Sequence, residues 1–343
     1  MKKILLILIT LHLTVFDAVA ASDLYSGKVG VSGQGEPERQ YAIPDALIQV
    51  LQKLSGLREI PFSPALDDAL TDAEKIMLSY RYEYVDRTGS DGVVTPQLRL
   101  VANFIPSEVD KVIQQAELPR WRPERPAVQL WVVVDDGIDR TLKPLEFGYA
   151  WEAIEEIASL RGLPVTWPEL DDEESQLIDM RLVWGGFTDY LVERGAPADG
   201  VAIIAARREG PNWTLRWSVA NEVRVWNWRN SDQELQFALA EGIHRMTDQI
   251  AQSNSIAASE QGVTTVDVSV GGLDSSNDYV ACLAYLQDVS LITNVKILGA
   301  DPGKVHFRLQ LNAASEYLDE AFMRGTVLLP AGAGSDYDYE FMR

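Results

Sequence analysis

Outside its first twenty residues the chain holds two histidines, His244 and His306, and one cysteine, Cys282. A Ser-His-Asp or Cys-His centre needs an imidazole beside a nucleophile and an orienting acid. No such motif surrounds either histidine. His244 falls mid-helix beside an apolar stripe and His306 falls in a strand, while Cys282 sits in Ala281-Cys282-Leu283-Ala284, where a buried thiol acts as a small hydrophobe. Carboxylates make the stronger enzyme argument. Asp135 and Asp136 follow a strand end, where α/β folds often place ligands. Asp171, Asp172, Glu173 and Glu174 could give oxygen ligands to a hard cation. The plainer readings weigh more: Asp135-Asp136-Gly137 is turn chemistry, and an acidic run at a helix start complements its dipole. No EF-hand, His-Glu-x-x-His or Cys-x-x-Cys spacing occurs, so no metal or cofactor is expected. Gly30-x-x-Gly33-x-Gly35 follows a strand but lacks Gly-Lys-Ser/Thr and an immediate helix start, and it reads as a flexible loop.

Aromatic chemistry offers the most specific candidate. Asn212 to Ala220 and Glu222 to Trp228 read as a hairpin, and alternate residues of a strand share a face. Trp213, Leu215, Trp217 and Val219 form an apolar face that must meet a helix. On the second strand Val223 and Val225 are taken as the inward pair, which turns Glu222, Arg224, Trp226 and Trp228 outward. Trp226, Trp228 and Arg224 would then form an aromatic platform for a sugar or a partner's side chain. The alternatives are a bulge near Asn227 that flips that parity, or another module covering this face.

The elements that must position these residues fall into modules, giving an α+β or α/β fold of two or three small mixed sheets with packed helices. Residues 21–117 read as βα(α)ββα, with a helical stripe from Tyr41 to Leu54 and strands at 78–85 and 97–104. Leu118 to Pro126, with three prolines, reads as a linker. Residues 127–251 form an α/β module: a buried strand Val128 to Val134, a helix from about Leu145 to Leu160, a second from Asp171 to about Val183, a strand Gly200 to Arg207 and the hairpin. A last helix carries the stripe Leu235, Ala238, Leu239, Gly242, Ile243, Met246 and Ile250. Gln252 to Gly262 reads as a flexible joint, 263–330 as a ferredoxin-like βαββαβ unit, and 331–343 as a disordered tail.

Composition and the amino terminus bound the setting. Lys2 and Lys3, an apolar run from Ile4 to Phe16 and Ala18-Val19-Ala20 together read as a signal peptide cleaved after Ala20. The run is too short to cross a bilayer, so the mature chain is expected to lack a membrane segment and to reside in the periplasm. A single cysteine allows no internal disulfide. The chain carries −21; residues 1–20 hold two lysines and Asp17, so the remainder carries −22. Such a body repels phosphate backbones and anionic headgroups, which excludes nucleic acid and membrane surfaces as partners.

Several blocks resemble an exported proteobacterial family, domain of unknown function 2066, over roughly residues 24–260. They are Ala46-Leu47 with Leu51 and Leu54-Ser55-Gly56, the strand through Leu98, Leu100 and Phe104, Leu118-Pro119-x-Trp121 with Arg125-Pro126 and Trp131, and Arg161-Gly162-Leu163-Pro164. That resemblance implies an envelope protein and supplies no catalytic residues. The element order of 127–251 also looks like the N-terminal domain of the Tol translocation protein, an analogy of fold alone. The expectation is a non-enzymatic envelope binding or scaffolding protein whose modules engage a protein partner or cell-wall glycan. The alternative is an envelope hydrolase acting on glycan or peptide with carboxylates of the second module.

Overall fold

The computed structural model describes residues 24–342 except 124, 195–198, 222–223, 263, 326 and 333. The proposed signal peptide lies outside the described residues.

The first module runs β1 (Ser26–Gly30), α1 (Glu36–Ser55), α2 (Pro64–Thr71), a 3-10 turn at Ala73–Ile76, β2 (Met77–Thr88), β3 (Val94–Phe104) and α3 (Pro106–Gln115), with sheet order β1-β3-β2. The stripe on α1 packs as its spacing predicts: Ala42, Ala46, Leu47, Val50, Leu51 and Leu54 are all buried. Pro64 starts α2, because Ser63 caps it by accepting from Leu66 N and proline suits a first helical position. One boundary differs from expectation. The helix α1 begins directly after Gly35, so the glycine-rich loop does lead into a helix. Phosphate still has no place there, because the Glu38 carboxylate folds back against Gly33 and Gly35.

Beyond β4 (Arg120–Trp121) the second module holds β5 (Val128–Asp135), β6 (Arg140–Leu142), α4 (Gly148–Arg161), β7 (Val165–Thr166), α5 (Asp172–Leu177), α6 (Met180–Gly185), α7 (Thr188–Val192), β8 (Gly200–Glu209), β9 (Asn212–Asn221), β10 (Val225–Asp232) and α8 (Leu235–Asn254). The main path of its sheet is β10-β9-β8-β5-β6, with β5 and β8 parallel. Both faces are covered. Leu130, Val132, Ala202, Ile204, Leu215 and Trp217 meet α4 and α8, whereas Trp131, Val133, Val201 and Ile203 meet α6 and α7. The single helix expected over 171–183 is broken, because Asp179 caps α6 by accepting from Arg181 N. Every residue of the stripe on α8 is buried. Gly242 is required there: an added Cβ would meet the Trp217 ring at 1.8 Å.

After β11 (Ser255–Ile256) come β12 (Thr264–Gly271), α9 (Ser276–Asp288), β13 (Ile292–Asp301), β14 (Lys304–Leu311), α10 (Glu316–Arg324), β15 (Leu328–Pro330) and β16 (Tyr339–Phe341). The sheet order is β13-β14-β12-β16-β15. The segment read as a disordered tail is therefore inserted into the sheet. β16 runs parallel to β12 and antiparallel to β15, so β15 stays at the edge but is displaced from the place beside β12 that a ferredoxin-like unit would give it. Tyr339 and Phe341 are buried, and the Tyr339 ring meets Phe322 edge to face at 4.8 Å. Few apolar residues sufficed because two aromatics two apart enter one core face.

The two stretches read as linkers pair with each other, Trp121 opposite Ser255 and Arg120 opposite Ile256. Around them the first two modules are joined by buried cations. Arg161 is 2% exposed and donates to Gly56 O, to Asp248 and toward His244 Nδ1. Arg125 donates to Gly162 O and Lys53 O and stacks over Trp121 at 4.0 Å. These carbonyls lie at the C-terminal ends of α1 and α4, where the helix dipole favours positive charge. Burial lowers the pKa of the Arg125 guanidinium to about 9.

Candidate functional site

The hairpin fixes which aromatic residues are available. Asn221 and Arg224 close it through reciprocal contacts: Asn221 N donates to Arg224 O, and Arg224 N donates to Asn221 Oδ1. β9 ends at Asn221 and β10 begins at Val225, with pairing starting at Val225 opposite Ala220. The reading that turned Trp226 and Trp228 outward was one residue out of phase; Glu222 and Val223 lie outside the described residues. Trp228 falls opposite Trp217 and Trp226 opposite Val219, on the core face. Trp228 is 7% exposed and stacks on Trp217 at 5.4 Å and 9°. Trp226 is half-buried against the same core, while Val225 is 59% exposed. The outward platform of Trp226, Trp228 and Arg224 does not form; of the three, only Arg224 faces solvent.

That parity leaves arginines on the opposite face, where they form one row across five strands. Arg229 on β10 is opposite Arg216 on β9. Arg216 is opposite Ala205, two residues before Arg207 on β8 and so on the same face. Arg207 and Arg140 are each register partners of Asp135, on β8 and β6 respectively. The row reads Arg229, Arg216, Arg207, Asp135, Arg140. Trp184 of α6 lies over it, with the guanidinium carbons of Arg140, Arg207 and Arg216 at 4.5, 5.2 and 5.8 Å from its ring centre. Arg216 also donates to Trp184 O. A shallow cleft of about 590 Å³ opens here, lined by Asp135, Gly137, Arg140, Met180, Arg181 and Arg207. It lies at the carboxyl ends of the parallel strands β5 and β8, the usual ligand position in such sheets.

The charges do not cancel. Asp135 accepts from Arg207 at 2.7 Å and Arg140 at 3.2 Å. The Arg207 hydrogen bond, helped by Gly137 N–H and Arg140, holds its carboxyl down to about 2. Burial lowers the Arg216 pKa, and Arg229, Arg140 and Arg207 lower it further. Four guanidiniums and one carboxylate make up the row, and Asp139 adds a second carboxylate at the cleft, which leaves a cationic strip on a chain of −21.

The remaining candidates are occupied by structural duties. Asp136 accepts from Ile138 N and Asp139 N, an ordinary turn. Asp171 and Glu174 form a capping box. Among the described residues no three His, Cys, Asp or Glu side chains group as metal ligands. Burial raises the Cys282 thiol to about 12, and lowers the His244 pKa to about 4 with help from Arg161. His306 bonds Asp301 at 3.1 Å and is opposite Ser269, but the Ser269 hydroxyl donates to Asp338, so no nucleophile–base pair forms. No described helix is long and apolar enough to cross a membrane.

Comparison with known proteins adds little to this geometry. Residues 18–122 match the model of a family described as "Domain of unknown function (DUF8605)". This corrects the resemblance to domain of unknown function 2066, since the match is to a different family and stops at the end of β4. No curated protein matches the chain. Among solved structures, the N-terminal domain of Thermus thermophilus Protein Y is 15% identical over 22% of this chain and 86% of its own, with a TM-score of 0.16. So low a score carries no argument about fold, and the likeness of the second module to the Tol protein's domain gains no support.

The arginine row and Trp184 were missed at the level of sequence. A usable signal was present, because Arg207, Arg216 and Arg229 are spaced to share a face once the hairpin register is known.

Proposed function

We propose that the chain is an exported, non-enzymatic binding protein of the cell envelope, and that its arginine row takes a carboxylate-bearing group of a protein partner or cell-wall glycan. One observation carries the reading: four arginines share one sheet face beneath a tryptophan with a single carboxylate among them. Like charges opposite each other on neighbouring strands are destabilising, so Arg229 beside Arg216 costs stability unless an anion joins them. Planar guanidinium groups match carboxylates with paired hydrogen bonds. Of the acidic side chains that a hydrolase would use in this module, Asp135 is tied to arginines, Asp136 to a turn, and Asp171 and Glu174 to a helix cap.

Titration with a glutamate-rich peptide, and co-sedimentation with purified cell-wall sacculi, measure the binding. Each charged hydrogen bond contributes roughly 1.5–3 kcal/mol, so Arg207→Gln with Arg216→Gln should weaken the bound probe about a hundredfold. Unchanged binding of both probes by the double variant, or no binding of either by the unaltered protein, contradicts the reading. Export rests on Lys2, Lys3, the Ile4 to Phe16 run and Ala18-Val19-Ala20. Mass analysis of periplasmic protein should give a chain beginning at Ala21; one that retains residues 1–20 refutes it.

A further inference from the structure

A second cavity lies apart from the arginine row, where the paired β4 and β11 cross the third module. It encloses about 280 Å³. Its walls are Ile256, Val289, Leu291 and Ala321 with the rings of Tyr285 and Tyr317. They come from β11, the α9–β13 connection and α9 and α10, so anything bound would touch both the linker pair and the module it leads to.

The charges at this cleft select against an anion. Arg120 is ion-paired with Asp110 at 3.0 Å, and Arg122 with Glu320 at 2.9 Å. Arg122 also stacks over Tyr317 at 4.8 Å, while the Tyr317 hydroxyl donates to Glu260. Both cations are thus matched by carboxylates, and the exposed Asp288 adds a further negative charge to the lining. An anion would meet repulsion, whereas an apolar body would find an apolar wall and two aromatic rings. An apolar cavity of about 150 Å³ accepts benzene, so this one holds roughly a dozen heavy atoms.

We infer that this cleft binds a small uncharged apolar molecule, an aryl or short alkyl compound, and that the bound molecule fastens the third module to the paired linkers. Naphthalene and naphthalene-1-sulfonate form a matched pair of small probes, sharing a ring skeleton and differing by the sulfonate. The full chain should bind the neutral probe with one-to-one stoichiometry, at least about tenfold more tightly than the sulfonate. Ala321→Phe, which fills the cleft from α10, should weaken it by a further factor of about ten. Val289→Trp fills the opposite wall and serves if Ala321→Phe does not fold. Preference for the sulfonate, undetectable binding of the neutral probe, or unchanged affinity in the folded filling variant overturns the inference.

Discussion

At the residue scale the structure separates side chains that hold the fold from those free to bind. His244 belongs to the first group. Its Nδ1 lies 3.0 Å from Arg161 Nη1, so the folded state needs a neutral imidazole, and burial with Arg161 lowers its pKa from 6.5 to about 4. A depressed pKa means that the unfolded chain takes up the proton first. The stability His244 contributes is therefore present above pH 6.5 and lost as pH falls toward 4. Because the ring is half-exposed, the loss is discounted to about 1 kcal/mol. Urea midpoints at pH 7 and pH 5 should converge for His244→Gln, whose amide oxygen can accept from Arg161 without titrating. An equal pH shift in the variant contradicts this role. The sequence placed His244 correctly beside the stripe of α8. It concealed Arg161, because that contact joins residues 83 apart.

At the element scale, periodicity was a good guide wherever one face is buried against a helix. The stripes of α1 and α8 are examples, because each apolar position has a core to enter. Register was less legible. Trp226 and Trp228 could be placed on either face until the turn was known, since a shift of one residue exchanges the faces of a whole strand. The contacts between Asn221 and Arg224 decide it, setting Val225 opposite Ala220. β16 was hidden for a different reason, being too short to show a pattern, with Tyr339 and Phe341 held by neighbours already in the sheet. Asp338 accepts from both the backbone and the hydroxyl of Ser269, and Tyr337 packs on Gly271. Tyr339→Ala should therefore cost about 3 kcal/mol of stability, read from the unfolding of the full chain in urea. A midpoint unmoved by this substitution, and by removal of 331–343, would return the segment to the status of a tail.

At the scale of the whole molecule, an acidic chain sets aside one cationic face. Blocks quoted for a family resemblance, Leu54-Ser55-Gly56, Trp121 with Arg125 and Arg161-Gly162, meet at the junction of the first two modules. Their role there is structural: arginines neutralise converging helix ends. The arginines of the row differ, because Arg229 and Arg216 face each other while Asp135 is already shared between Arg207 and Arg140. The anion site proposed for this module lies beside Trp184. Fluorine NMR of 5-fluorotryptophan-labelled protein tests this directly, with the Trp184 resonance assigned through Trp184→Phe. On titration with a glutamate-rich peptide the Trp184 resonance should shift while those of Trp217 and Trp228, stacked in the core on the other face, stay in place. A titration that moves Trp226 or Trp228 and leaves Trp184 unchanged would contradict the account.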